Sequence, residues 1–305
     1  MMGLLRFERK SMAPEATRKN GQATGEKTYN FSVDKKQLDE HIKLLKISGL
    51  SDKWVYIIRY YVTDYLDYTN WTTDKEKTLD YLGKIKEKYN ASYYRKWVYQ
   101  VRKFLEYLNI EWAKQLNPPT EQEYQAKRVT TEDVQNTLTY FQGHQYYKQF
   151  KAVLLLGCTS GLRAEELYQL TTDDIDLENK TVRINHNPHN GQSTKTGKSR
   201  VSFFTDETRI ALTDYFQFYK KNNSLKYLFN QCHLARNFKD APVHVKDLRK
   251  AFSQTWDKRQ GQTSIKKLLM GHSTRSDVDL MHYNGQNTED LQKIYQTVMG
   301  DYRIQ

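Results

Sequence analysis

Phe150-Lys151-Ala152-Val153-Leu154-Leu155-Leu156-Gly157-Cys158-Thr159-Ser160-Gly161-Leu162-Arg163-Ala164-Glu165-Glu166-Leu167 is the stretch on which the C-terminal half turns. The apolar run from Phe150 to Leu156 predicts a buried helix that ends at Gly161. Arg163, with Glu166 three residues on, then places a guanidinium at a turn beside an acid able to hold it. The same pattern also fits an ordinary helix with an i,i+3 ion pair, and both readings stand at this point. Working outward, Thr130-Thr131-Glu132-Asp133 suits a helix N-terminus, with Val134, Leu138 and Phe141 on its apolar face. Downstream, Val182-Arg183-Ile184 and Val201-Ser202-Phe203-Phe204 flank a polar, turn-rich stretch and predict a β-hairpin. The acids Asp173, Asp174 and Asp176 read as a turn before it. Beyond the hairpin the pattern is helical to the C-terminus.

The N-terminal half is helical throughout. Leu38, Ile42 and Leu45 keep helix spacing and stop at Gly49; Ser51 or Asp52 opens a second helix with Trp54, Val55, Ile58, Tyr61, Val62 and Tyr65. Thr72-Thr73-Asp74 opens a third, with Leu79, Leu82 and Ile85 on one face, and a fourth runs from Ala91 through Leu108. Residues 1–30 read as a flexible basic tail, 31–115 as a small helical bundle, 116–129 as a linker stiffened by Pro118-Pro119, and 130–305 as a mixed second unit. The predicted class is mainly α with a small β-hairpin or sheet, an α+β chain in two domains.

Composition narrows the partners. The 305 residues carry 48 Lys plus Arg against 36 Asp plus Glu, a formal charge of +12, which points to a polyanion. Mean hydropathy is −0.87 and no apolar run approaches 18 residues, so no transmembrane helix is expected. The start of the chain is too short in apolar residues for a signal peptide, so an intracellular protein is expected. Two cysteines make neither a disulfide framework nor a four-thiolate zinc site. The charge peaks between Lys84 and Lys103, where Lys84, Lys86, Lys88, Arg95, Lys96, Arg102 and Lys103 oppose only Glu87, with Tyr89, Tyr93, Tyr94, Trp97 and Tyr99 interleaved. This is either a solvated face over a core stripe or a helix pair that grips phosphates.

Three further clusters bear on chemistry: Ser193-Thr194-Lys195-Thr196-Gly197-Lys198-Ser199-Arg200 in the hairpin, His244-Val245-Lys246-Asp247-Leu248-Arg249, and Leu268-Leu269-Met270-Gly271-His272-Ser273 followed by His282-Tyr283-Asn284. Each alone reads as structure. In this order, Gly-Leu-Arg-x-x-Glu-Leu, Lys-Thr-Gly between strands, Asp-Leu-Arg and Leu-Met-Gly-His-Ser ahead of a Tyr, they resemble the tyrosine recombinases, or phage integrase family, over about residues 130–300. The family's second box usually begins with His where this chain has Lys246, and Tyr283 follows His272 by eleven residues, slightly more than is common. Both features resemble integrases of archaeal viruses and plasmids, especially the fusellovirus type. His244 lies two residues too early to replace the missing His.

The resemblance implies an N-terminal core-binding domain and a catalytic domain that close as a clamp around double-stranded DNA. It also implies a metal-independent strand exchange with no cofactor. Tyr283 would attack the phosphodiester to form a 3′-phosphotyrosine, and Arg163 and Arg249 would clamp the non-bridging oxygens. His272 and Lys246 would donate to the same phosphate, Lys195 would protonate the departing 5′-oxygen, and Glu166 would orient Arg163. A homotetramer on two attachment sites, passing through a Holliday junction in the host cytoplasm at the nucleoid, follows from the same likeness. Two other classes compete with this reading. A DNA-binding protein on a degenerate recombinase scaffold would lack one of Arg163, Arg249 and the Tyr, and a metal nuclease would need paired carboxylates, for which only Asp173, Asp174 and Asp176 offer themselves.

Overall fold

The structure, a computed structural model, describes residues 31–120, 123, 125–222, 226–273 and 285–305. The tail read at 1–30 and the nucleophile read at Tyr283 lie outside the described residues. The chain divides into two compact units, Met1–Tyr124 and Gln125–Gln305. No helix among the described residues is long and apolar enough to cross a membrane.

Among the described residues of the first unit there are four helices, α1 (Lys35–Ile47), α2 (Asp52–Tyr68), α3 (Lys75–Lys88) and α4 (Ala91–Tyr107), with a 3-10 turn over Glu111–Gln115. Each helix starts where a short polar side chain accepts a hydrogen bond from an otherwise orphaned backbone N–H. Asp34 takes that of Gln37, Ser51 that of Trp54, Asp74 that of Lys77 and Asn90 that of Tyr93. Val55, Ile58, Val62 and Leu66 of α2 share one core with Trp97, Val101, Phe104 and Leu105 of α4. Leu79 departs from expectation. It is half exposed, because the buried face of α3 runs through Thr78, Tyr81, Leu82 and Ile85. The hydroxyls on that face are satisfied internally, Tyr65 with Thr78 at 2.9 Å and Tyr81 donating to Asp64 at 2.8 Å.

His41 of α1 is buried against Phe104 and Tyr107, and its Nε2 has no hydrogen-bond partner among the described residues. Burial pushes its pKa from 6.5 down to about 4. Since the folded value lies below the unfolded one, protonation favours the unfolded chain. The penalty is absent above about pH 6.5 and grows as pH falls towards 4. Lowering the pH from 7 to 4.5 should therefore destabilise this unit by about 2 kcal/mol through His41 alone. Urea unfolding followed by tryptophan fluorescence reports it, since four of the five tryptophans (Trp54, Trp71, Trp97 and Trp112) lie in this unit. His41→Leu should remove most of that acid sensitivity; an equal drop in the variant would assign it elsewhere.

The second unit runs α5 (Thr131–Tyr140), α6 (Tyr147–Ser160), α7 (Ala164–Tyr168), β1 (Ile175–Asp176), β2 (Thr181–Ile184), β3 (Arg200–Phe203), α8 (Asp206–Asn222), α9 (Gln231–Asn237), a 3-10 turn at Val245–Asp247, α10 (Leu248–Lys258), α11 (Thr263–Met270) and α12 (Thr288–Met299). The sheet is antiparallel in the order β1-β2-β3, with Val182 opposite Ser202 and Arg183 opposite Val201. The edge strand β1 lies where the sequence predicts a turn, for two residues are too few to show an alternating pattern. Helix α6 is the axis of the unit: every residue from Ala152 to Ser160 is buried, between α8 and α10. It stops at Gly161, whose φ of +67° favours glycine and whose missing Cβ would sit 2.5 Å from the Phe252 ring. At the other end of the chain, Tyr295 and Met299 of α12 pack with Phe203, Phe252 and Trp256. Ile304 is buried, and its N–H and that of Gln305 donate to the Glu207 carboxylate at 2.7 and 2.9 Å.

Candidate active site

The turn after Gly161 fixes the first guanidinium. The Arg163 N–H donates to Glu166 Oε2 at 2.8 Å, which starts α7, and Arg163 Nη1 donates to Glu166 Oε1 at 2.8 Å. Its Nη2 reaches across 108 positions of sequence to the Gly271 carbonyl at 3.0 Å. Arg249, the second residue of α10, donates through Nη1 to the carbonyls of Gly161 (2.8 Å) and Met270 (2.7 Å). One amino group thus bridges the C-terminal ends of α6 and α11, where the carbonyls lack helical partners and carry the negative end of the helix dipole. The Nη2 and Nε of Arg249 have no protein partner among the described residues.

A third guanidinium completes the cluster, and the sequence reading did not single it out. Arg200, the first residue of β3, forks onto Glu166 at 2.9 and 2.7 Å and donates from Nε to the Leu269 carbonyl at 2.9 Å. The only sequence signal was its place at the end of the basic hairpin. The last three carbonyls at the end of α11, of Leu269, Met270 and Gly271, are therefore each taken by a different arginine. That end closes as a Schellman turn, with Gly271 N–H to Leu268 and His272 N–H to Lys267, both at 2.9 Å. Gly271 has φ +64°, and a Cβ there would lie 2.8 Å from the Arg200 guanidinium, so a glycine leaves the room.

The electrostatics are lopsided. Burial alone would push the Glu166 carboxyl up, but Arg200 and Arg163 outweigh it and hold Glu166 below the usual carboxylate range, ionised at neutral pH. Glu166 is bonded to two guanidiniums, while the third, of Arg249, feels its charge without a bond to it. Burial first, then repulsion from Arg163 and Arg200, pushes Arg249 down to about 9, still protonated at neutral pH. His272 is lowered from 6.5 by partial burial and then by Arg249, Arg163, Lys266 and Arg200, so the neutral imidazole is favoured. The pocket is short of negative charge, and an anion is what would balance it.

Lys195 and Lys246 are not drawn into this cluster. Lys195 is exposed on the turn between β2 and β3, which is built on Thr194: its Oγ1 bonds the Lys198 carbonyl and N–H at 3.0 and 3.1 Å, and its N–H donates to His186 Nδ1 at 3.1 Å. The Lys195 ammonium has no ion pair among the described residues. Lys246 is exposed on the 3-10 turn that precedes α10, not on the helix of Arg249, and the carboxylate it influences is that of Asp247. Asp247 itself is buried and paired with Lys250 at 2.9 Å and Lys127 at 3.7 Å. His244 is also set apart, its Nε2 lying 3.1 Å from the Lys239 carbonyl. Of the acids at 173–176, two are occupied: Asp174 accepts from Thr171, Asn185 and Gln192, and Asp176 from Glu178 and Asn179.

The basic stretch of the first unit divides in two. Lys86, Lys88 and Lys96 are exposed, as is Lys103; Lys96 lies 4.8 Å from the Tyr93 ring centroid and Lys88 5.4 Å from that of Tyr89. Lys84 is exposed too but bonds Asp80 and Tyr68. Arg95 and Arg102 are half-buried and tie the following segment, donating to the carbonyls of Pro119 (3.1 Å) and Leu116 (3.3 Å). Arg102 and Lys103 also share Glu106. Trp97, read among the interleaved aromatics, belongs to the core at 2% exposure.

The guanidinium cluster at the ends of α6 and α11 joins the boxes by which the sequence resembles the tyrosine recombinases. The phage integrase family model matches residues 127–296, and the chain belongs to that family, as an enzyme of the tyrosine recombinase type. The tyrosine recombinase XerA of Saccharolobus solfataricus is 27% identical over 252 residues, covering 76% of this chain and 82% of the relative. A probable integrase/recombinase of Acholeplasma phage L2 is 22% identical, covering 88% and 81%. Among solved structures, a lambda integrase dimer bound to a COC′ core site matches with a TM-score of 0.60 at 13% identity, covering 83% of this chain and 96% of that one. The lambda integrase tetramer bound to a Holliday junction gives 0.56 at 14%, covering 79% and 78%.

Proposed function

We propose that the chain is a site-specific recombinase that cuts and rejoins double-stranded DNA through a 3′-phosphotyrosine at Tyr283, integrating or excising a mobile element. The observation that carries this is the surplus of guanidinium over carboxylate at Arg163, Arg200 and Arg249, a charge that one phosphate would balance. In the reaction, the Tyr283 oxygen bonds to phosphorus as its phenolic proton passes to solvent, the bond to the 5′-oxygen breaks, and Lys195 gives that oxygen its proton. Arg163 and Arg249 hold the charge that gathers on the non-bridging oxygens, with His272 beside them; each such donor is worth about 2.7–4 kcal/mol. The Lys195 turn lies outside the arginine cluster, as suits a group that follows a leaving oxygen, and Lys246 braces the DNA phosphate from the adjoining turn.

The first unit, residues 31–115, serves as the core-binding domain, joined by 116–129 to the catalytic domain at 130–305. Four copies act together on two sites, a reading supported by the tetrameric relative on its Holliday junction. The deciding experiment incubates the full chain with nicked attachment-site DNA and looks for a covalent protein–DNA adduct, with and without EDTA. An adduct that survives EDTA is expected. Binding without an adduct would leave a DNA-binding protein on this scaffold, and an activity restored only by magnesium would reopen the nuclease reading.

For the DNA grip, Lys86→Ala and Lys96→Ala should each weaken binding to all sequences alike. Each should also lower the slope of log affinity against log salt by about 0.9. Unchanged slopes would return α3 and α4 to a merely solvated face. Arg102→Ala, in contrast, should act mainly on stability, since its guanidinium is bonded to Glu106 and Leu116.

A further inference from the structure

We infer that Arg200 is a positioning residue for cleavage, holding Arg163 and the His272 turn in one register; this rests on the recombinase reading above. Arg163 and Glu166 alone would be an i,i+3 pair on one short helix, a weak contact free to swing. Arg200 changes that. Glu166 accepts four hydrogen bonds on its two oxygens, two from Arg163 and two from Arg200, so the carboxylate has no alternative rotamer that keeps its partners. The Arg163 fork is thereby aimed.

The same guanidinium also bonds the Leu269 carbonyl, three residues before His272. It therefore ties the Arg163 box to the Gly-His-Ser box directly. Its own backbone belongs to β3, where it pairs with Ile184 of β2, so it also anchors the base of the loop that carries Lys195 five residues earlier. Three boxes far apart in sequence meet at one side chain. Only arginine can do this: a lysine supplies the charge but cannot span two carboxylate oxygens and a carbonyl with fixed planar donors. Stability alone is a weak reason for such a pair, because a buried ion pair often gains little over an apolar replacement.

The test compares the full-length wild type with Arg200→Lys and Arg200→Met in single-turnover cleavage of nicked attachment-site DNA. DNA affinity and melting temperature are measured alongside. Adduct formation should slow by about 100-fold in both variants, the loss expected from an ångström-scale misplacement, with DNA affinity changed less than about threefold. A second substrate carries a methylphosphonate at the scissile position, which removes the charge that Arg163 meets. The gap between wild type and variants should shrink at least about tenfold on it, since misaimed charge stabilisation then matters less. A loss of equal size on both substrates, or one that tracks melting temperature, would make Arg200 a stabilising residue only. Should Arg200→Met fail to fold, Arg200→Lys carries the same comparison. A wild-type adduct with an unimpaired Arg200→Lys overturns this inference alone, whereas no wild-type adduct on either substrate overturns the recombinase reading and this inference with it.

Discussion

Tyr283→Phe is expected to abolish the covalent adduct, a fall of about 10⁴-fold or more in cleavage, with DNA affinity unchanged. The substitution removes one oxygen and keeps the ring. Three tyrosines follow the His272 box, and burial sets two of them, Tyr295 and Tyr302, aside. Tyr295 is fully buried, its hydroxyl donates to the Thr159 carbonyl at 2.8 Å, and burial pushes its pKa upward. A phenol so placed is a core residue, and it cannot reach a phosphate without unfolding α12. Tyr302 packs against both core clusters of its unit, its hydroxyl 3.1 Å from that of Thr131, and burial raises its pKa as well. Tyr283 remains, at about the family distance from His272. The check is denaturing electrophoresis of the variant with nicked DNA. An adduct that persists would transfer the nucleophile to another tyrosine.

Arg249→Lys should slow cleavage by about 10²–10³-fold while binding of attachment-site DNA changes little, because the lost donors act on charge that develops in the transition state. A lysine ammonium can replace one bond to the Gly161 or Met270 carbonyl. Its three N–H groups radiate from one nitrogen, so it cannot hold these carbonyls and also place donors where Nη2 and Nε of the planar guanidinium lie. Single-turnover rates at saturating protein separate the two effects. A variant that loses affinity and rate equally would show that Arg249 binds the ground state instead.

Much of this molecule is written in local patterns. The helix starts at Asp74, Asn90 and Thr130 and the stop at Gly161 need only neighbouring residues, because capping and left-handed turns are contacts over three to five positions. The pair of strands was legible as alternation, and Arg163 with Glu166 as an i,i+3 pair. Errors came where two periodic readings lay close, as on α3, where Leu79 and Thr78 differ by one helical step of about 100°. The basic run at 84–103 was legible as charge. Which of its members turn inward was not: Arg95 and Arg102 are held by carbonyls of a segment that follows their helix.

By itself the sequence determined the two-part helical architecture, the place of the hairpin and the order of the boxes, since each depends on short-range periodicity and turn chemistry. Only the tertiary structure decided that Arg200 joins Glu166 across 34 positions, that Arg163 meets Gly271 across 108, and that Tyr295 is withdrawn into the core. Such contacts have no period. They arise when α6, β3, α10 and α11 bury their apolar faces together, which leaves the orphaned carbonyls at the end of α11 to be satisfied by whichever long donors the packing brings within reach.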